Sequence, residues 1–383
     1  MAPGILFDDL VSHSFRQYNH ELSKSPIRVQ EWPRFLASGL AWDPATFSNE
    51  QSYTYNITAT HKLEIENALG YFKSLGLDGS DVRQGSFPLP TLGGTLLRLA
   101  VEIHRGKGFI NIRGLNPADY SLEDNILLFL GLSSYIGETR ARQDEDGNML
   151  MHICDAKKSR EPQQNRPTRF SSRASTFHTD TFCDILALQT RSNAARGGKH
   201  IISSSWTIYN KIAVERPDLL ESLATPNWPF DSRGELFECN SRSLLHYHGG
   251  NIILNLAREP LLGLKHFPRT ENLPELSPKQ REALDLIETL AQEGQLTLAT
   301  EPGDLTFINN HALLHSREAF EDSPEATRYL VRMWLKNKSL AWKLPRSLQM
   351  GNSRIYDDNE LGNRWNVVAV PKLRFKLSER LSS

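Results

Sequence analysis

The stretch RASTFHTDTFCDILALQT, residues 173–190, carries two side chains suited to metal chemistry, the imidazole of His178 and the carboxylate of Asp180. In extended backbone, positions i and i+2 project from one face, so this pair would aim two ligands at one point. It is the chain's single His-x-Asp pair, and no His-x-Glu occurs. A surface histidine capped by a neighbouring carboxylate would read the same way, so a third ligand has to be sought elsewhere. In GDLTFINNHALLHSREAF, His311 and His315 both follow the apolar run DLTFI. Either would complete a set of two histidines and one carboxylate. Such a set occupies three cis positions of an octahedral iron(II) and leaves three for a cosubstrate and dioxygen. A structural zinc would want four protein ligands, usually with sulfur. The three cysteines, Cys154, Cys183 and Cys239, have no zinc-binding spacing.

A second feature follows His315, in EATRYLVRMWL. Strand alternation puts Arg328, Leu330 and Arg332 on one face, with Tyr329, Val331 and Met333 on the other. Two guanidinium groups on an inward face are costly without anionic partners. A dicarboxylate bound to the metal would supply one. Guanidinium suits that task because it grips a carboxylate with two parallel hydrogen bonds and stays charged.

These groups need a scaffold. The chain has 383 residues, 39% hydrophobic and 23% charged, with a formal net charge of −1, an ordinary globular composition. The near-neutral balance argues against nucleic acid or an anionic membrane as the main partner. No apolar run is long enough to span a bilayer, and MAPGILFDDLVSHS lacks the features of a secretory signal. Three widely spaced cysteines make no disulfide framework. A cytoplasmic protein with a small-molecule partner is the expectation.

Helical spacing in THKLEIENALGYFKSLGL rests on Leu63, Ile65, Leu69, Phe72 and Leu75, and a second helix on Leu96, Leu97, Leu99, Ala100 and Ile103. Ser121 is placed to cap a third, and Ser277-Pro278 with Gln280 reads as a capping-box start. WTIYNKIAVERPDLLESLA is helical with a break at Pro217. From about residue 105 the segments FINIR, NMLMHI, DILALQT, SLLHYH, GNIILNL, QLTL, DLTFI and RYLVRMWL are strand-like. The fold class predicted is mainly β with helical decoration (α+β), a sandwich or jelly roll.

The ordered motifs FHTDTF, GG, SSW, GDLTFINNHALLHSREAF and RYLVRMWL together resemble the TauD/TfdA family of iron(II)- and 2-oxoglutarate-dependent dioxygenases, and most closely its fungal clavaminate synthase-like members. The resemblance covers residues ~90 to ~345 in order, and a multi-part match is far more specific than any one motif. It implies a double-stranded β-helix (cupin-like) core at 91–345, between an N-terminal extension (1–90) packed on it and a C-terminal tail (346–383). It also implies His178, Asp180 and His315 as iron ligands, ahead of His311. By the same resemblance Arg328 takes the distal carboxylate of 2-oxoglutarate, and Arg332 contacts substrate or cosubstrate. His200 falls where relatives often place a 2-oxoglutarate-binding threonine. The segment GLSSYIGETRAR lacks the sulfonate-binding histidine of the taurine enzyme, which leaves Tyr135, Arg140, Arg142 and His152 as pocket candidates. The implied cofactors are Fe(II), 2-oxoglutarate and O2. The implied reaction oxidises 2-oxoglutarate to succinate while hydroxylating or desaturating a C–H bond, and the carboxylate at Asp180 disfavours halogenation. Two rival readings are a cupin-like metalloenzyme that does not use 2-oxoglutarate and a degenerate ligand-binding protein. Whether the extension shapes the pocket or a homo-oligomer interface stays open.

Overall fold

The computed structural model describes residues 29–156, 162–232, 241–264, 268–357 and 362–368. Its strands in chain order are β1 (Thr54–Asn56), β2 (Phe109–Arg113), β3 (Thr139–Arg140), β4 (Met151–Cys154), β5 (Ser175–His178), β6 (Ile185–Ser192), β7 (Arg196–Gly197) and β8 (His200–Ser204). They continue as β9 (Leu245–His248), β10 (Asn251–Leu254), β11 (Gln295–Leu298), β12 (Leu305–Asn309), β13 (Leu313–Arg317), β14 (Phe320–Glu321) and β15 (Tyr329–Lys336). The helices are α1 (Ala59–Ser74), α2 (Leu92–Arg105), α3 (Leu122–Ser133), α4 (Ser205–Glu215), α5 (Pro217–Ala224), α6 (Arg258–Leu262), α7 (Pro278–Glu293) and α8 (Arg346–Tyr356).

Two sheets face each other. The larger runs β1-β2-β12-β6-β15-β3, with β4 also paired to β15, and the smaller runs β11-β8-β13-β5. Pairing in both is antiparallel except between β1 and β2. The alternation of the central strands explains this layering. On β6 and β15, Leu186, Leu188, Leu330 and Trp334 enter the core between the sheets. Their neighbours Ile185, Ala187, Val331, Met333 and Leu335 join a second core beneath α1, α2 and α3. Both faces of the larger sheet therefore carry buried apolar side chains, and each fully buried Leu or Phe stabilises it by about 1.5–3 kcal/mol.

Local chemistry places the helices as expected. The Ser121 side chain accepts from Asp124 N to start α3, and Ser277 and Gln280 form the reciprocal capping box of α7. Pro217 separates α4 from α5. In α1 the buried stripe is Ile65, Ala68, Leu69 and Phe72, whereas Leu63 and Leu75 are exposed. One helix face is too narrow for all five of the large apolar residues read from the sequence. The segment before α1 lies on the inter-sheet core through Leu40, Trp42, Phe47 and Tyr53. Beyond β15, the stretch read as part of a tail contains α8, which packs behind the loop that follows β5.

Candidate metal centre

The smaller sheet brings the two histidines together. β5 pairs antiparallel with β13 so that His178 stands directly opposite His315. Cross-strand partners on one face sit within side-chain reach, and these two rings lie 4.2 Å apart between centroids. β8 flanks β13 on its other side, with His200 opposite Arg317. The His200 and His315 rings are 5.9 Å apart.

Asp180 arrives differently from the sequence expectation. β5 ends at His178, and the carboxylate is carried by the loop that follows. Asn310, in the turn after β12, clamps that loop. Its Oδ1 accepts from Asp180 N at 2.8 Å, and its Nδ2 donates to Asp180 O (2.7 Å) and Cys183 O (2.8 Å). Thr179 N donates to Leu256 O, and Leu256 N donates back to the Thr179 hydroxyl. Phe182 adopts φ 65°, the left-handed conformation that turns the chain towards β6. Helix α8 closes over this turn. Asn352 Nδ2 donates to Phe182 O and to Asp184 Oδ1, and a Cβ at Gly351 would meet the Phe182 ring at 2.6 Å.

Ligand atoms of His178, Asp180 and His315 all lie within 4.8 Å of one another. His315 Nε2 is 3.8 Å from Asp180 Oδ1. The other carboxylate oxygen, Oδ2, accepts from Trp334 Nε1 at 2.6 Å and Arg332 Nη1 at 2.9 Å. Arg332 Nη1 also reaches Oδ1 at 3.1 Å, and its Nε donates to Gln143 Oε1 at 2.7 Å.

The donor set fits a ferrous ion. His178 Nδ1 is bonded to the Thr176 carbonyl, so that nitrogen carries a proton and Nε2 is the atom left for a metal. Burial, helped by His178, His200 and Arg332 nearby, holds the His315 imidazole well below its usual pKa and therefore neutral. Its Nδ1 is buried without a partner among the described residues. Two imidazoles and one carboxylate are the ligand types of non-haem iron(II) oxygenases.

These residues line a cavity of about 370 Å³, a size suited to a small ligand. Arg328, Leu330, Arg332 and Trp334 reach it from alternate positions of β15 and its leading residue, as the alternation predicted for the first three. Arg328 is 6% exposed; its Nε donates to Gly198 O, and Nη1 has no partner among the described residues. Burial lowers its pKa to about 9. A buried guanidinium nitrogen without an acceptor calls for an anion. His200 lines the same end of the cavity, and burial with the nearby Arg328 charge brings its pKa to about 3, so it is neutral.

Five candidates lie elsewhere. Tyr135 sits under the helices, its hydroxyl donating to Phe87 O and accepting from Leu89 N. His152 pairs in register with Val331 and so points to the helix side, held by Tyr329 and Asn366; Ile153, one residue on, faces the cavity. Arg140 donates to Ser80 O, Val82 O and Leu130 O, and neither it nor Arg142 lines the cavity. His311 is bonded to Asp184 at 3.0 Å and stacks on Trp342, outside the His178–Asp180–His315 cluster. Sequence reading missed Gln143, Asn310 and Trp334. Trp334 was one step further along the Arg328–Leu330–Arg332 alternation, whereas nothing local marks Gln143 or Asn310.

Two facing sheets with helices outside, enclosing a two-histidine, one-carboxylate cluster beside a buried arginine, define the layout of a mononuclear iron oxygenase. Residues 73–334 match the family described as taurine catabolism dioxygenase TauD, TfdA family. The chain is 32% identical over 328 residues to the taurine hydroxylase-like protein SAT17 of Stachybotrys chartarum, covering 84% of this chain and 85% of that one. It is 24% identical over 348 residues to FR-33289 synthase of Streptomyces rubellomurinus, covering 86% and 95%. An asparagine oxygenase solved with Fe(II), 2S,3S-3-hydroxyasparagine and succinate shares the jelly-roll fold, with TM-score 0.58, 14% identity and coverage of 74% and 93%. The oxygenase OrfP solved with Fe and alpha-ketoglutaric acid gives TM-score 0.53 and 17% identity over 74% and 94%.

The chain belongs to the TauD/TfdA family. It is an Fe(II)- and 2-oxoglutarate-dependent dioxygenase that couples oxidative decarboxylation of 2-oxoglutarate to oxidation of a small-molecule C–H bond. No helix among the described residues is long and apolar enough to cross a membrane.

Proposed function

We propose that His178, Asp180 and His315 hold the ferrous ion, that Arg328 receives the distal carboxylate of 2-oxoglutarate, and that the substrate is a small anionic molecule. The observation that carries this reading is the convergence of three donors, within 4.8 Å, in a cavity that also holds an unsatisfied buried guanidinium. When bound, iron(II) supplies the redox chemistry for using dioxygen. The chain supplies position. Arg328 fixes the far end of the cosubstrate, a contribution made by orientation. Neutral His200 stands beside it and can donate one hydrogen bond to the same carboxylate. Leu188 and Leu330 line the cavity beside Arg328 and His200. Arg332 spends Nη1 and Nε on Asp180 and Gln143, which leaves Nη2 as the donor for an anionic substrate group. The buried free thiol of Cys183 suits a reducing cytoplasm.

The test is His178→Ala and Asp180→Ala in purified, iron-supplied protein. Each is expected to abolish both Fe(II) uptake and substrate-independent conversion of 2-oxoglutarate while circular dichroism stays that of the parent. Normal turnover by either variant would rule the ligand assignment out. The substrate class is tested by succinate formation stimulated by amino acids, sulfonates and aryloxyacids. Stimulation by neutral analogues alone would overturn the anionic substrate.

A further inference from the structure

The two oxygens of Asp180 are not equivalent in this structure. Oδ1 lies 3.8 Å from His315 Nε2, on the side where the histidines converge. Oδ2 is turned away, towards β15. Arg332 does not account for this difference, because Nη1 reaches both oxygens, at 3.1 and 2.9 Å. Trp334 does discriminate. Its recorded bond from Nε1 is to Oδ2 alone, at 2.6 Å, the short length of a hydrogen bond to a charged acceptor. The indole is rigidly placed. Trp334 is 7% exposed, sits in register with Leu186 at the centre of the larger sheet, and its carbonyl accepts from Ala141 N. The Arg332 guanidinium lies 5.1 Å from its ring centre.

We propose that Trp334 is a positioning residue for the metal centre: its indole N–H ties down Oδ2, so that Asp180 offers Oδ1 alone to the iron. The consequence is a coordination count. A carboxylate free to turn can bind through both oxygens and take a position that 2-oxoglutarate or dioxygen needs. A tied carboxylate cannot. An indole suits this role because it donates once and accepts nothing, and so it stays neutral at any working pH. Groups that orient a ligand in this way typically change metal affinity or activity by 10–100-fold when removed.

The inference rests on Asp180 being a ligand, and the experiment separates the two ideas. Trp334→Phe removes the donor. Replacement of Trp334 by benzothienylalanine keeps the indole shape with sulfur in place of N–H, and serves where the smaller ring does not fold. Metal-free protein is titrated with Co(II) as the probe, reading both the dissociation constant and the visible ligand-field bands, with Asp180→Ala alongside. The expected result is a dissociation constant raised about tenfold and altered Co(II) bands in both Trp334 variants, with the metal-free melting temperature of the benzothienylalanine protein unchanged. Parental affinity and bands in the Trp334 variants, with Asp180→Ala losing the metal, would overturn this inference and spare the ligand set. Parental behaviour in all three would overturn the ligand set as well.

Discussion

Replacing Arg328 by glutamine separates the two roles a buried cation can play, structural and ligand-binding. Burial lowers the pKa of this guanidinium from its ordinary range to about 9. At about 1.4 kcal/mol per unit, its charged form is disfavoured in the protein by at most about 5 kcal/mol. One hydrogen bond, from Nε to Gly198 O, offsets about 1 kcal/mol of this, and Nη1 offsets none of it. Without cosubstrate, Arg328→Gln is therefore expected to melt at the same temperature as the parent or higher. With cosubstrate the sign reverses. Truncating one member of a buried charge pair costs about 2–5 kcal/mol, and the lower figure is about 30-fold in affinity. Anaerobic calorimetric titration of 2-oxoglutarate into Fe(II)-loaded protein reads that number, and scanning calorimetry of the metal-free protein reads the first. An unchanged dissociation constant, or a cosubstrate-free variant destabilised by several kcal/mol, would refute the reasoning.

Three further outcomes are expected. His200→Ala should weaken 2-oxoglutarate about 2- to 10-fold, one neutral hydrogen bond, with His200→Thr restoring most of it in the same titration. Asn310→Ala removes the three side-chain bonds that clamp the Asp180 loop, and should cost about 3 kcal/mol in urea unfolding at about 1 kcal/mol per bond. Metal-free stability should fall with acidification from about pH 6.5. Burial lowers the pKa values of His104, His152 and His246, the last to about 3, so the unfolded chain binds more protons throughout that interval. His246 alone contributes up to about 1.4 kcal/mol per pH unit, measurable as a declining urea midpoint between pH 6.5 and 4.

The parts of the site that were legible in the sequence are those fixed by strand period. Alternation alone put Arg328, Leu330 and Arg332 on the cavity face, because β15 runs unbroken from Tyr329 to Lys336. The pairing of His178 with His315 required the register of β5 on β13, which no local pattern encodes, and it entered through the family resemblance. His152 shows the same limit in reverse. A shift of one residue decides whether a side chain meets the cavity or the helices, and Ile153 rather than His152 has the right parity. Asp180 was expected from strand geometry and is instead set by Asn310, 130 residues away. The helices were read from caps and Pro217 with fair bounds, but α8 is polar enough that its packing partner had to be seen before its role made sense.

That last helix alters where the catalytic unit ends. The matched family segment stops at residue 334, inside β15. Gly351 and Asn352, well past that limit, brace the bend at Phe182 and the neighbouring Asp184. A truncation or fusion junction placed near residue 345 would thus behave as an active-site lesion rather than a trimmed appendage. Substitution of Gly351 by any larger residue would push on iron chemistry from behind.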